Sequence, residues 1–252
     1  MMADMAEHED QRPVGSRPPK QTASRLSREL IIQTALAQID ASGAQNLSMR
    51  SLAQELGVEA MSLYRYVHGK EDLLEGVVAL LMADLMPNLE ADLEQHWQAY
   101  LQTAAHEIRR IAVEHPRVFP LVATRHPAAP WLRPPLRSVE VVNAFLTALI
   151  DRGFTDRQAV DTYRSFTSFL LGQLLLEAAT RGAPTGPVDA PIDEGASPAS
   201  DRKGAASSDD PVLDDAPEVF RLRDMLSEDR SDEEFEVSLE ALLDRLQGEL
   251  TR

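Results

Sequence analysis

Hydroxyl-bearing and cationic side chains are concentrated in the stretch SMRSLAQELGVEAMSLYRYVHGK, residues 48–70. Tyr64, Arg65 and Tyr66 follow one another, and Lys70 comes four residues later. Such groups hold the phosphates of nucleic acids and contact the edges of bases. The residues that we predict to contact DNA are Arg25, Arg28, Ser48, Arg50, Ala60, Met61, Ser62, Tyr64, Arg65, Tyr66 and Lys70.

Two short helices joined by a tight turn would position these side chains. Ser48 is a suitable N-terminal cap for the first helix, and Gly57 ends it because glycine adopts a left-handed backbone without steric cost. A second helix is predicted from Glu59 to Tyr66. This is the pattern of a helix-turn-helix, whose second helix lies in the DNA major groove. Spacing alone leaves an ordinary helical hairpin as the alternative.

The residues of this stretch resemble the DNA-binding signature of the tetracycline-repressor (TetR) family of bacterial transcription regulators. The resemblance implies an all-α fold, with an N-terminal three-helix head that binds DNA and a larger helical bundle that binds a ligand and dimerises. It also implies a homodimeric repressor that a small-molecule effector releases from its operator. The shared positions are Ala53, Gly57, Val58, Leu63, Tyr64, Tyr66, Val67, Lys70, Leu73 and Leu74.

The base-reading positions differ from those of the best-known family members. Those proteins place a polar Gln-Pro pair after the turn, where this chain has Ala60 and Met61. Apolar side chains can touch a thymine methyl group, but they cannot form a bidentate hydrogen bond. Arg65 replaces a frequent tryptophan and is expected to take over part of the base reading. We therefore expect an operator unlike the tetracycline operator.

The charge of the chain is strongly uneven. The net charge of the 252 residues is −16, yet residues 11–75 carry eight basic and seven acidic side chains, a net of +1 that leaves −17 for the remainder. Residues 11–28 carry five basic side chains and no acidic ones. A basic head on an acidic body would approach DNA head first.

Composition excludes several classes of protein. The chain contains no cysteine, so it has no disulfide framework, zinc–thiolate site or thiol nucleophile. No segment has the apolar length of a membrane span, and the first 20 residues lack the apolar core of a signal peptide. We therefore expect a cytoplasmic protein. Low aromatic content (5%) and the absence of alternating strand-like runs favour helices.

Three parts of the chain are predicted from its composition and motifs. Residues 1–24 are polar and proline-rich, and are expected to be disordered, either as a loose terminus or as a basic arm that reaches DNA. Residues 25–72 are predicted to form the DNA-binding head, and residues 73–252 the effector-binding and dimerisation body. Within the body, residues 182–217 hold six prolines and eight acidic residues, which predicts a disordered loop.

A helix capped by Ser27 and ended by Gly43 is predicted to brace the helix-turn-helix. The helix that starts at Lys70 would connect the head to the body. The buried stripe of the bracing helix is predicted to comprise Ile32, Ala35, Leu36 and Ile39.

Further helices are predicted at Asp92–His115, Leu132–Ile150, Asp156–Arg181 and Asp232–Thr251. By resemblance, the last two pack against the same helices of a second subunit to form the dimer interface. The side chains predicted for that interface are Phe166, Phe169, Leu170, Leu174, Phe235, Leu239, Leu242 and Leu246.

The resemblance also allows the effector region to be compared with that of the tetracycline repressors. Their drug-clamping asparagine corresponds to Ala104 here, their metal-ligating histidine to Leu121, and a nearby aromatic to Ile108. Alanine and leucine cannot coordinate a magnesium ion or orient its ligands. Tetracycline is therefore disfavoured, no metal or cofactor is expected, and the effector is either another small, partly apolar molecule or absent.

A glutamate that the partner subunit contributes in those repressors is roughly matched by Glu177. The alternative for the aromatic candidates is that Trp97 and Tyr100 belong to the core, with the histidines at the surface. The candidate pocket residues are Trp97, Tyr100, Ala104, His106, Ile108, Leu121, Thr124, His126, Trp131 and Glu177.

Catalytic motifs are missing from the sequence. It contains no His-Glu-x-x-His zinc motif, no Glu-x-x-His pair for a di-iron site and no Gly-x-Ser-x-Gly elbow. We therefore predict that the protein is not an enzyme. A helical enzyme, or a protein-interaction module without DNA binding, remains the alternative, and Arg50, Arg65 and Lys70 argue against a module that has lost its basic head.

Overall fold

The computed structural model describes residues 26–83, 85, 96–184 and 216–250. These residues form nine α-helices and two short 3-10 turns without any β-strand, which confirms the predicted all-α fold. The helices are α1 (Arg28–Ser42), α2 (Met49–Glu55), α3 (Ala60–Leu63), α4 (Lys70–Met82), α5 (Trp97–Glu114), α6 (Val139–Asp151), α7 (Asp156–Thr180), α8 (Pro217–Leu226) and α9 (Ser231–Leu250).

Local chemistry fixes the ends of the first two helices as predicted. The Ser27 hydroxyl accepts a hydrogen bond from the Leu30 N–H at 3.2 Å, which caps α1. The Ser48 hydroxyl accepts one from the Ser51 N–H at 3.0 Å, which caps α2. Gly43 follows the end of α1 with a φ of 86°, a backbone conformation that suits glycine.

The buried face of α1 differs from the predicted stripe. Ile31, Ala35 and Ile39 are fully buried, whereas Ile32 and Leu36 are only half-buried. Ile31 was missing from the prediction, because the apolar residues of this helix are numerous enough to form two neighbouring stripes. Contact with the rest of the head selects the one that is buried.

Two helix boundaries and the presence of one helix also differ from the predictions. The second helix of the helix-turn-helix spans only Ala60–Leu63, and residues 64–66 form a turn. The helix predicted from Leu132 begins at Val139, because the preceding Pro134-Pro135 pair lacks the N–H groups that a helix requires. Helix α8 was not predicted, and it begins with Pro217 in its first turn, where proline is tolerated.

Several predictions concern residues outside the described ranges. The arm at residues 1–24 lies there, as do residues 92–95 at the start of one predicted helix and residues 185–215 of the predicted loop. These statements stay predictions.

Helix α7 is the centre of the body, because α5, α6 and α9 all pack against it. Its buried residues cover more than one stripe. The ring of Phe145 from α6 lies 5.5 Å from that of Phe166, 6.0 Å from that of Tyr163 and 6.1 Å from that of Tyr100. These aromatic contacts join α5, α6 and α7 into one packed unit.

One hydrophobic core runs through both the head and the body. Helix α4 extends across the predicted boundary between residues 72 and 73, so that division remains a prediction. In the described part of the chain, every helix is too short or too polar to cross a membrane.

Candidate nucleic-acid interface and effector cavity

The predicted helix-turn-helix has one buried side and one exposed side. At its turn the Val58 N–H donates to the Ala53 carbonyl at 3.0 Å, and Gly57 has a φ of 67°. Leu52 of α2 and Leu63 of α3 are fully buried and hold the two helices together. The remaining face of α3 and the following turn is therefore available for contact with another molecule.

That exposed face carries most of the residues predicted to contact DNA. Met61 is 75% exposed and Tyr64 is 46% exposed. Cations, phenols and one long apolar side chain thus project together from a short helix and its turn, as a surface that enters a DNA groove requires. Exposed members of the predicted set are Ser48, Arg50, Met61, Tyr64, Arg65 and Lys70, and half-buried members are Ala60, Ser62 and Tyr66.

Arg28 has a structural partner in the head. Its guanidinium lies 2.5 Å from the Asp72 carboxylate, which also accepts a hydrogen bond from the His68 N–H at 2.7 Å. Asp72 therefore ties α1 and the loop after α3 to the first turn of α4. Arg25, its predicted companion, lies outside the described residues.

The body contacts the same turn of α4 through a buried arginine. Arg137 is 5% exposed, and its guanidinium donates to the Glu71 carboxylate at 2.5 Å and to the Thr124 hydroxyl at 2.9 Å. Glu71 follows Lys70 directly. The body thus holds the end of α4 that lies nearest the predicted DNA-binding surface.

An apolar cavity of about 40 Å³ lies in the body among α4, α5, α6 and α7. Its wall contains no charged side chain. The Tyr163 hydroxyl donates to the Pro134 carbonyl at 3.0 Å, and burial raises the pKa of Tyr163 to about 12, so this phenol is neutral. The wall is formed by Met82, Ile108, Val122, Leu136, Ser138, Val141, Val142, Phe145, Tyr163, Phe166, Thr167, Leu170 and Leu171.

Ile108 alone, of the ten predicted pocket residues, belongs to this wall. Trp97, Tyr100, Ala104 and Leu121 are buried elsewhere in the core. Trp97 and Tyr100 therefore pack as core residues, which agrees with the alternative interpretation of these two aromatics.

The polar members of the predicted pocket are engaged at other places. His106 lies 2.9 Å from Glu236, and His126 lies 3.9 Å from Glu75. Thr124 accepts the hydrogen bond from Arg137, and Trp131 is 74% exposed.

Glu177 is buried inside the subunit. Its carboxylate lies 3.0 Å from the guanidinium of Arg109 and 3.1 Å from that of Arg181. The hydrogen bond that Arg109 donates to the Glu177 carboxylate raises the pKa of Arg109 above its ordinary value, since it favours the charged form. Two cations of its own subunit therefore neutralise this carboxylate.

Sequence reasoning missed the twelve other cavity residues. Most are aliphatic or aromatic residues at helical spacing, which is also the pattern of an ordinary core. Whether such a side chain faces a neighbour or a void depends on the distances between helices, and the sequence does not encode these locally.

The residues predicted for the dimer interface also belong largely to the core of one subunit. Only Phe169 is half-buried rather than buried. The exposed face of α7 instead carries Gly172, at which an added Cβ would meet no atom within 4 Å, and Leu176, which is 72% exposed. The buried members are Phe166, Leu170, Leu174, Phe235, Leu239, Leu242 and Leu246.

Across the ranges that the structure describes, no three histidine, aspartate or glutamate side chains come together in a way that could hold a metal ion.

Two family models match the chain. The model for bacterial regulatory proteins of the tetR family matches residues 31–77, and the model for the tetracyclin repressor-like C-terminal domain matches residues 90–249. The chain belongs to the TetR family. It is therefore a DNA-binding transcription regulator and not an enzyme, which confirms the predicted family and class of function.

Individual relatives agree with this membership. The HTH-type transcriptional repressor DrrR1 of Streptomyces coeruleorubidus is 32% identical over 162 residues, which cover 63% of this chain and 56% of DrrR1. The class E tetracycline repressor protein of Escherichia coli is 30% identical over 157 residues, which cover 62% of this chain and 71% of that repressor. The match to DrrR1 thus spans little more than half of its length.

A solved structure supports the fold over almost the whole chain. The crystal structure of a possible TetR family transcriptional regulator from Streptomyces coelicolor A3(2) superposes with a TM-score of 0.61 at 26% identity. The superposition covers 88% of this chain and 99% of that one.

Half of the ten TetR signature positions in this chain are buried packing positions. Ala53, Leu63, Val67, Leu73 and Leu74 are all buried in the head. These positions specify how the helices pack, and the exposed Met61, which is predicted to contact bases, lies outside the signature. The sequence therefore identifies the TetR head more readily than it identifies the operator.

Proposed function

We propose that this TetR-family protein is a homodimeric cytoplasmic repressor, and that a small uncharged effector releases it from a palindromic operator. The observation that carries the proposal is the exposed strip of Met61, Tyr64, Arg65 and Lys70 on the outer side of a helix-turn-helix whose inner side is buried. This arrangement supports DNA binding by α3 and its flanking residues.

In the proposed complex, α3 of each subunit lies in a major groove, and the two helices are about 34–36 Å apart. Tyr64, Tyr66 and Lys70 hold phosphates. Arg50 and Arg65 reach phosphates or base edges. Met61 contacts a thymine methyl group, because a thioether side chain cannot form the paired hydrogen bonds that read guanine or adenine.

The apolar cavity supports the chemical class of the effector. A charged group placed there would lose its hydration without gaining a partner, so the ligand is uncharged and mainly apolar. One water molecule needs roughly 10–15 Å³, so a cavity of about 40 Å³ holds only a few atoms in its present shape. Binding of an effector therefore requires the helices around the cavity to move apart.

A magnesium–tetracycline complex does not fit this site. Ala104 and Leu121, which correspond to residues that hold the drug and its metal in the tetracycline repressors, are apolar and lie outside the cavity wall. The similarity to those repressors therefore supports the architecture but not the ligand.

The partner subunit is proposed to pack on the exposed face of α7. Ser168, Gly172 and Leu176 lie one turn apart on that face and are all exposed in the single subunit. Small residues permit close approach of a second helix, and an exposed leucine gains from being covered. This location replaces the buried leucines and phenylalanines of the prediction.

Selection of binding sites from random double-stranded DNA tests the DNA-binding part of the proposal. The full-length protein should enrich a palindrome with half-sites separated by about 10–10.5 base pairs or a multiple of that spacing. The double variant Arg65→Ala, Lys70→Ala should enrich no sequence. Failure of the natural protein to enrich any sequence would refute operator binding, and a single unrepeated half-site would refute the dimeric arrangement.

A thermal-shift screen tests the effector class with matched pairs of compounds. Methyl benzoate and benzoate have similar shapes and differ in charge. Neutral members of such pairs should raise the unfolding temperature, whereas the carboxylates should not. Equal stabilisation by both members would contradict an uncharged ligand.

A further inference from the structure

The last four carbonyls of α1 all have hydrogen-bond donors, and two of these carbonyls receive them from the body. Such carbonyls have no partner within their own helix. The Ile39 carbonyl accepts from the Gly43 N–H at 2.7 Å, and the Ser42 carbonyl accepts from the Asn46 amide at 2.6 Å. The Arg117 guanidinium donates hydrogen bonds to the remaining two carbonyls, those of Asp40 and Ala41.

Arg117 donates to the carbonyls of Asp40, at 3.2 Å, and Ala41. Helix α1 has no basic residue in its last turn, so Arg117 also supplies the positive charge that the C-terminal end of a helix favours. Asp40 receives a second contact from the body, since its carboxylate lies 2.7 Å from the His115 ring nitrogen.

The segment that carries Arg117 is firmly held in the body. Val118, Phe119 and Leu121 directly after it are fully buried. The Arg117 guanidinium also donates to the Gly182 carbonyl at 3.4 Å, just beyond the C-terminal end of α7. One side chain therefore connects the end of α1 in the head with the end of the central helix of the body.

We propose that Arg117 is a positioning residue that fixes the orientation of the DNA-binding head on the body. This inference rests on the proposed function, because orientation matters only if two heads must meet one operator. Arg137 contacts the first turn of α4 through Glu71. Arg117 contacts the C-terminal end of α1. A head fixed at one point can rotate about it in any direction, whereas a head fixed at two separated points can rotate only about the line that joins them.

The test measures the distance between head and body within one full-length subunit. The natural chain has no cysteine, so Gln33→Cys on α1 and Gln102→Cys on α5 provide two unique and exposed sites for spin labels. Labelled protein is mixed with an excess of unlabelled protein, so that pulsed double-resonance spectroscopy reports distances inside single subunits. This measurement depends neither on DNA nor on dimerisation.

Three further changes are compared in that labelled protein. Arg117→Ala should broaden the distance distribution and lower affinity for the selected operator about tenfold, within the range of couplings between sites. Arg117→Lys keeps the charge but cannot reach three carbonyls at once, so it should restore part of the affinity and of the narrow distribution. Arg110→Ala is the control, because among the residues that the structure describes Arg110 pairs only with Glu107 and Glu114 of its own helix.

An unchanged distance distribution in Arg117→Ala would overturn the proposal, as would equal broadening in Arg110→Ala. Weaker operator binding with unchanged distances would also overturn it, since that result indicates a simple loss of charge. If Arg117→Ala does not fold, the comparison uses Arg117→Lys. A distance distribution in Arg117→Lys as narrow as that of Arg110→Ala would then refute the proposal that Arg117 positions the head. A broadened distribution in a protein that selects no operator would refute the proposed function and leave the role of Arg117 in head orientation supported.

Discussion

The cations near the recognition helix differ in what else they contact. Arg28 is paired with Asp72, whereas Arg65 and Lys70 are exposed on the outer face of the head. An arginine engaged inside the head has less freedom to reach DNA. The exposed cations Arg50, Arg65 and Lys70 should therefore dominate the electrostatic part of operator binding.

Arg65→Ala and Lys70→Ala should each weaken operator binding. A base contact from Arg65 is worth roughly 1–3 kcal/mol, and loss of a phosphate contact at Lys70 should reduce the salt slope by about one unit. Mobility-shift titrations at several salt concentrations measure both effects. Arg157→Ala, which removes an exposed body arginine paired with Asp161, serves as the control. Unchanged binding in both head variants would contradict the docking proposal.

Two buried tyrosines should make the fold sensitive to alkali. Burial raises the pKa of Tyr100 and of Tyr163 to about 12, from an ordinary value of about 10. The unfolded chain therefore loses these protons first, and stability present below pH 10 is lost as the pH rises from about 10 to 12. Urea unfolding at pH 8 and pH 11 should show this loss, which Tyr100→Phe should reduce.

At the scale of helices, the sequence predicts a helix end correctly where an interaction between neighbouring residues determines that end. The caps at Ser27 and Ser48 and the glycine after α1 involve groups within three or four residues, and these ends were predicted correctly. The buried stripe of α1 and the wall of the cavity depend on contacts between distant segments. Apolar residues at helical spacing fit several such arrangements, so the sequence could not select among them.

The crossing of α1 and α4 depends on one missing side chain. At Gly76 an added Cβ would lie 2.6 Å from the Cδ1 atom of Ile32. Gly76→Ala should gain about 0.5–1 kcal/mol of helix propensity but lose roughly 1–3 kcal/mol to overpacking, and so destabilise the protein. Gly248→Ala, where an added Cβ meets no atom within 4 Å, should be neutral or stabilising. Urea midpoints measure both effects, and equal midpoint shifts would argue against a tight crossing.

At the scale of the whole molecule, the dimer helices show why an apolar pattern is ambiguous. The pattern of α7 indicates burial on several sides, but it does not say whether a second subunit or the same subunit provides the cover. In the structure α5, α6 and α9 cover most of these sides. A face of small residues and Leu176 remains for a partner.

Gly172→Arg should separate the proposed dimer without unfolding the subunit. The subunit itself has open space at Gly172, so an arginine there meets no atom of its own chain near Cβ. A buried charge at the subunit interface would be strongly unfavourable. Sedimentation velocity should show a dimer for the natural protein and for Gln102→Arg, an exposed change on α5. A dimeric Gly172→Arg protein would place the interface elsewhere.

We expect the small volume of the apolar cavity to raise the effector concentration at which the regulator responds. If the state that accepts ligand is only a fraction of the population, the apparent dissociation constant rises in inverse proportion to that fraction. Leu170 lines the cavity, so Leu170→Ala enlarges it. The variant should lower the half-maximal dose of an effector found in the thermal screen. It should also lower the free energy of unfolding by about 2–5 kcal/mol.

Leu174→Ala removes an equally buried leucine that does not line the cavity, so it should cost similar stability without shifting the dose. Dose curves for release of labelled operator would distinguish the two variants, and equal shifts would show that general loosening, not cavity volume, sets the response. We therefore expect tight packing around the cavity to leave the operator occupied at low concentrations of apolar metabolites.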